Sequence, residues 1–151
     1  MKLELIRIAK KKDEKIQIYY KEQSSLIQRI VELVEAEDIE RLEGSNDKAE
    51  KVPIKISEIL YFEAVDKRVF AYLKSEVYQV HYSLSEIEHH FKSHGFVRIN
   101  KSTVINIYHI ETIRPELNMR VKAILDNKEF LFINRTYKRQ FEKFLKERIT
   151  R

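Results

Sequence analysis

Between Ile54 and Ile133 the chain alternates apolar and polar residues in short blocks, each closed by charged or hydrogen-bonding residues. "IKISEILYFEA" (54–64), "RVFAYLK" (68–74) and "VYQVHYS" (77–83) are rich in β-branched and aromatic residues and predict three strands. Asp66-Lys67 and Ser75-Glu76 separate them. "FVRI" (96–99), "TVINI" (103–107), "MRVKAIL" (119–125) and "EFLFI" (129–133) predict four more, and residues 110–114 can pair as well. In the block 119–125, Met119, Val121, Ala123 and Leu125 share a face opposite Arg120 and Lys122, and Asp126-Asn127 suits a two-residue hairpin turn.

The period changes from two to that of a helix in three places. Ser83 followed by Glu86 is a capping box, with Leu84, Ile87 and Phe91 on one face; Gly95 suits the left-handed position after that helix. "TYKRQFEKFLKERI" ends the chain with Tyr137, Phe141, Phe144, Leu145 and Arg148 on one stripe. Near the start, Ser25 and Gln28 form a candidate capping box, and Ile27, Ile30, Val31 and Val34 make an apolar face that ends in the acidic stretch "EAEDIE". "LELIRI" (3–8) and "IQIYY" (16–20) read as strands ahead of this helix. "GSNDKAEKVP" (44–53) is the strongest loop signal, so a boundary is expected there: a small β-β-α-β unit over 1–50, then a β-rich domain over 54–151.

Composition narrows the functions. With 43% hydrophobic and 35% charged residues the chain can build a core, and it has no run of apolar residues long enough to span a membrane, so no direct membrane insertion is expected. The absence of cysteine suits a reducing cytoplasm and excludes thiolate chemistry. Two glycines cannot supply a P-loop, a dinucleotide fingerprint or a nucleophile elbow, so an enzyme is the least favoured class and no cofactor is expected. His90 and His94 stand four apart on the short helix, beside His89, but no Glu completes a metalloprotease motif; they read as a solvated helix face and no metal site is expected.

The net charge of +5 is unevenly placed: residues 1–54 hold 11 Lys and Arg against 12 Asp and Glu, and residues 55–151 hold 18 against 12. A basic part of this kind points to a polyanion. Its cations recur at bends. Lys67-Arg68 lies between the first two strands of the basic part, Asn100-Lys101-Ser102 between two later ones, and Asn134-Arg135-Thr136 before the last helix. Lys138 and Arg139 follow in the first turn of that helix, where cations oppose the helix dipole unless an anion is bound.

"ISEILYFEAVDKRVFAYL", "YSLSEIEHHF", "GFVRINKSTVIN" and "FINRTYKRQFEKFL" together resemble, in order over about residues 54–147, the LytTR DNA-binding domain of bacterial transcription regulators. The resemblance carries an acidic-Ile-Leu-Tyr strand, a Ser-Leu helix start, F-x-R-x-H-R-S-x-[IV]-V-N and [SN]-R-x-[YW]. It implies an elongated antiparallel β-sandwich, mainly β with short helices, that reads double-stranded DNA with loops. The family's contacts fall on Lys67 and Arg68, on Asn100, Lys101 and Ser102, and on Arg135, with Lys138 close behind. Two positions depart from the pattern: Asn100 stands where the family usually has His, and Lys101 where it usually has Arg. Lysine lacks the fork that reads guanine in a bidentate way, so Lys101 is expected to hold phosphate more than a base.

Many LytTR regulators carry a phosphorylated receiver domain upstream, and residues 1–54 are too few for one. A receiver-less regulator is therefore expected, acting as a homodimer and responding to abundance or a regulatory protein partner. Two other classes remain open: an RNA-binding β module, for which Tyr61, Tyr72, Tyr78 and Tyr82 would have to present a stacking face, and a basic protein-interaction adaptor.

Overall fold

The computed structural model describes residues 2, 4, 6, 15–37 and 41–148. A helix α1 (Ser25–Glu37) leads into ten strands and two further helices: β1 (Arg41–Ser45), β2 (Lys51–Lys55), β3 (Tyr61–Val65), β4 (Arg68–Tyr72), β5 (Val77–Val80), α2 (Leu84–His90), β6 (Phe96–Asn100), β7 (Thr103–Asn106), β8 (Ile110–Pro115), β9 (Val121–Leu125), β10 (Phe130–Ile133) and α3 (Arg135–Arg148). Strands β2-β1-β5-β4-β3-β7-β6 form one sheet in that order, and β10-β9-β8 a second. Every pairing is antiparallel. This is the expected mainly β, two-sheet architecture.

β3 and β7 bury residues on both faces, and two cores result. On one side, Phe62, Phe91, Phe96, Ile87 and Ile56 pack under α2. On the other, Leu60, Ile99 and Ile105 meet Val121, Ala123, Leu125 and Ile133 of the second sheet and Phe141 and Phe144 of α3. All four residues of β7 are buried, including Thr103 and Asn106. Asn106 is satisfied there: its Nδ2 donates to the Ile59 carbonyl at 2.9 Å and its Oδ1 accepts from Tyr108 N at 3.1 Å. A buried polar group without such partners would cost on the order of 1–3 kcal/mol.

Several predicted elements shift for identifiable reasons. The block 54–64 is two strands, broken by a 3-10 turn at Ile56–Glu58. β2 lies at the edge of the large sheet and β3 near its centre, so the chain must leave one position to reach the other. The strand expected at 119–125 starts at Val121, and Met119, expected on one face with Val121, Ala123 and Leu125, lies outside it and is 59% exposed where those three are buried. The loop after β9 has three residues: Lys128 N donates to the Leu125 carbonyl, Leu125 N to the Glu129 carbonyl, and Lys128 takes the left-handed conformation that a bulged three-residue hairpin requires. Gly95 has φ of 92°, as its place after the α2 region predicted.

Around α1 the cap is Ser24, whose Oγ accepts from Ile27 N at 3.3 Å; the Gln28 side chain accepts from Gln23 and does not close a box with Ser25. Residues 16–20 are described and form no strand, whereas most of the strand expected at 3–8 lies outside the described residues. The loop 44–53 is drawn into a hairpin: Gly44 and Ser45 belong to β1, Pro53 to β2, and Gly44 pairs with Val80 of β5. A Cβ at Gly44 would meet Ile54 Cδ1 at 2.3 Å and Tyr78 Cβ at 2.9 Å; the Ile54 methyl can turn aside but the Tyr78 Cβ is fixed to β5, so this close approach favours glycine.

Candidate nucleic-acid interface

The first bend is a two-residue hairpin turn. Val65 pairs with Arg68, and Asp66 and Lys67 both take positive φ, 50° and 65°. That is the turn whose twist matches a hairpin. It leaves Lys67 and Arg68 exposed at the tip of β3–β4.

At the second bend the short polar residues do not project; they build the turn. Asn100 Oδ1 accepts from Ser102 N at 2.9 Å and from Ser102 Oγ at 3.1 Å. This side chain mimics a backbone turn, a role that suits Asn. Arg98 braces it from β6: its Nε donates to the Asn100 carbonyl at 3.1 Å, its Nη2 to the Lys101 carbonyl, and its Nη1 to Glu88 of α2 at 3.0 Å. Lys101 alone of the three expected residues remains exposed with its charge outward. Arg98 did not figure among the candidate residues, although it is the Arg of the F-x-R-x motif; its signal lay in a strand position, where an inward cation looks unfavourable until Glu88 and two carbonyls are seen around it.

The third bend sits where β10 passes into α3. Arg135 is the first residue of α3 and is exposed. Lys138 is half-buried and lies 4.0 Å from Glu142 one turn on, so part of its charge is answered within the helix.

Backbone hydrogen bonds tie the three bends together at one end of the molecule. Ala64 N donates to the Ser102 carbonyl at 2.8 Å, joining the first to the second. Asn134 N donates to the Ile99 carbonyl at 3.0 Å, joining the third to the second. Lys67, Arg68, Arg98 and Lys101 line one open groove of about 580 Å³ that continues to Ser83 and Ser85 at the start of α2. Among the described residues, Lys67, Arg68, Lys101 and Arg135 form no ion pair, whereas Arg98 does. Lys67, Arg68 and Lys101 around the groove, with Arg135 at the start of α3, are exposed cations without an ion pair among the described residues, an arrangement suited to a polyanion.

The tyrosines considered for stacking are otherwise engaged. Tyr61 is buried and stacks on Tyr72 with ring centres 4.4 Å apart, and its hydroxyl donates to Glu129 at 3.0 Å. Burial, followed by the Glu129 carboxylate, raises the Tyr61 pKa well above the ordinary phenol value. Tyr82 packs edge-on against Phe91.

Comparison with known proteins bears on the family and the fold. The family described as LytTr DNA-binding domain matches residues 49–146. Two proteins of Staphylococcus aureus, from strains MSSA476 and MRSA252, both described as uncharacterized HTH-type transcriptional regulators, are 28% identical over 151 residues, covering 99% of each chain. A solved LytTr DNA-binding domain from a Bacillus cereus protein described as a methyl-accepting/DNA response regulator superposes with a TM-score of 0.66 at 25% identity, over 70% of this chain and 96% of that one.

Proposed function

This chain belongs to the LytTr DNA-binding domain family, and from that premise we propose that it is a transcriptional regulator that grips duplex DNA sequence-specifically with the three bends at one end of its sheets. The observation that supports this reading is the hydrogen-bonded joining of the bends, with Lys67, Arg68 and Lys101 on one groove and Arg135 directly after Asn134, whose N–H is bonded to Ile99 beside the second bend. The described helices favour loops over a recognition helix. Five strands separate α1 from α2 and five more separate α2 from α3, so no two of these helices are consecutive as a helix-turn-helix requires. In this reading Arg135, with its planar fork, reads a base edge, and Lys101, Lys67 and Arg68 hold phosphates. Asn100 and Ser102 act on DNA through the turn they build, with Arg98 as the positioning residue beneath it.

We also propose that residues 1–50 serve self-association. α1 packs on the 3-10 turn that follows α2, yet leaves Leu26 and Leu33 exposed at 45% and 66%.

Selection of bound duplexes from a random pool tests the main reading. A recovered motif is expected, bound with a log K against log[salt] slope of about −5 to −7 for roughly 5–8 phosphate contacts. A slope near zero, or preference for single-stranded RNA in competition, overturns it.

A further inference from the structure

The end of the molecule that carries the three bends carries a fourth, outside the motifs that single out the others. Residues 116–120 join β8 to β9 around a 3-10 turn at Leu117–Met119. Pro115 pairs with Val121, and Val121 with Ile133, so this loop lies one step beyond the closed end of the second sheet, at the level of Asn134 and Arg135. It also touches α3 directly. The loop is held in a defined shape: Glu116 N donates to the Arg120 carbonyl at 2.9 Å, and Asn118 and Met119 both have φ of 60°. Left-handed backbone at a methionine is uncommon and persists only where the surroundings impose it.

The bend itself carries Glu116 and Arg120, and the strands that flank it add Arg114 and Lys122, so cations outnumber carboxylates three to one over residues 114–122. Arg114 of β8 faces Lys122 of β9 directly across the ladder, a like-charge pairing that disfavours the sheet unless an anion sits between them. The Arg120 guanidinium lies 4.3 Å over the Phe132 ring and Lys122 Nζ 4.2 Å over the Phe130 ring. The rings fix the cations in place without neutralising them. Among the described residues, no carboxylate pairs with Arg114, Arg120 or Lys122, whereas at the opposite end of the same sheet Lys128 is closed by Glu111 at 2.8 Å. Two apolar side chains stand at the tip, Leu117 at 83% exposure and Met119 at 59%. Apolar side chains flanked by cations are a combination that minor-groove-binding proteins use against DNA.

We propose that the β8–β9 bend is a fourth duplex-DNA contact, in which Arg114, Arg120 and Lys122 take backbone phosphates flanking the site held by the other three bends and Leu117 and Met119 pack into the minor groove. The proposal rests on the DNA-binding reading above and extends its footprint to one side. An acidic protein segment would meet the same cations, but continuity with Arg135 favours the duplex.

The test uses the full chain and a duplex carrying the selected motif, together with the same duplex shortened by about half a helical turn from either end. For the Arg120→Gln/Lys122→Gln double variant, the salt slope is expected to fall by about two and affinity by about tenfold or more. The parent should lose affinity when one particular flank is removed, and the double variant should not lose more on that trimming. Arg120→Lys keeps the charge and should keep the parent's slope. Leu117→Ser/Met119→Ser should weaken binding several-fold with the slope unchanged, which separates groove packing from phosphate contact. Thermal melts confirm that each variant is folded, and Arg135→Ala serves as the control for the reading itself. If the double variant binds every duplex as the parent does while Arg135→Ala is weakened, the fourth contact is overturned and the three-bend reading stands. If the parent binds no duplex, both fall.

Discussion

Arg135 and Lys101 each carry one positive charge, but they differ in what they can recognise. The guanidinium presents two parallel N–H groups and can pair with both major-groove acceptors of a guanine; the ammonium is a point charge. Under the proposed function, Arg135→Ala is expected to cost about 1–3 kcal/mol on the preferred duplex and to relax discrimination at one or two base pairs. Lys101→Ala should weaken matched and mismatched duplexes by similar factors and reduce the salt slope by about one. Binding isotherms on both duplexes at several salt concentrations check this, with a thermal melt for each variant. Neither change should lower the melting temperature appreciably, because both side chains are exposed and form no ion pair among the described residues. Loss of fold in Arg135→Ala would make it a structural residue and leave Lys101 to define the site. The same scale shows the limit of reading residue types. Asn100, Lys101 and Ser102 are alike as candidates in the sequence, since all three can contact a phosphate. The hydrogen bonds from Ser102 to Asn100 divide them into two that shape the turn and one that faces outward.

Among the elements, β3 joins the two cores, and Tyr61 at its start is where a proton matters. Its hydroxyl is buried against Glu129, and burial with that carboxylate raises its pKa above the ordinary value of about 10. Above that value the unfolded chain releases the phenolic proton while the folded protein retains it. The group's contribution to stability is therefore fully present below about pH 10 and is lost as pH rises further. Tyr61→Phe should be less stable than the parent at pH 8, by about 1 kcal/mol for the missing hydrogen bond, and the gap should narrow as pH rises past 10. Urea midpoints of both proteins at pH 8 and above pH 10 measure it, and a constant gap would show that the Tyr61–Glu129 bond is not maintained. The hairpins at this scale were largely readable. Asp66-Lys67 separates two β-branched runs by two residues, and the fold uses those two residues as its turn. The turn after β9 is one residue longer than Asp126-Asn127 implies, because Lys128 occupies a left-handed position that glycine usually marks.

In the molecule as a whole, part of the first fifty residues belongs to the large sheet. β1 completes the large sheet by pairing with β5, and Leu42 and Ile54 are buried at 5% and 2% exposure. A chain beginning at residue 41 is therefore expected to fold, to bind the same duplex, and to be more monomeric in sedimentation. A chain beginning at residue 51 loses β1, leaves β5 as an unpaired edge and should melt at lower temperature or aggregate. If the chain from residue 41 self-associates as the full chain does, the association surface lies elsewhere than α1.

The amino-acid order by itself determined the alternation that makes strands, the capped α2, the apolar stripe of α3 and the concentration of cations at bends, because each is set by neighbours a few residues apart and by local backbone preference. Four motifs in order were enough to place the chain in its family. Tertiary structure alone decided that the hairpin at 41–55 would extend the large sheet, since pairing of β1 with β5 depends on residues more than thirty positions away. It likewise decided that the three bends would converge. That convergence depends on the hydrogen bonds from Ala64 to Ser102 and from Asn134 to Ile99, which link segments that no local pattern connects. Arg98 shows the difference most plainly: a cation in an alternating strand reads as solvent-facing from its neighbours, and only the packing of α2 on β6 brings Glu88 and the carbonyls of the second bend within its reach.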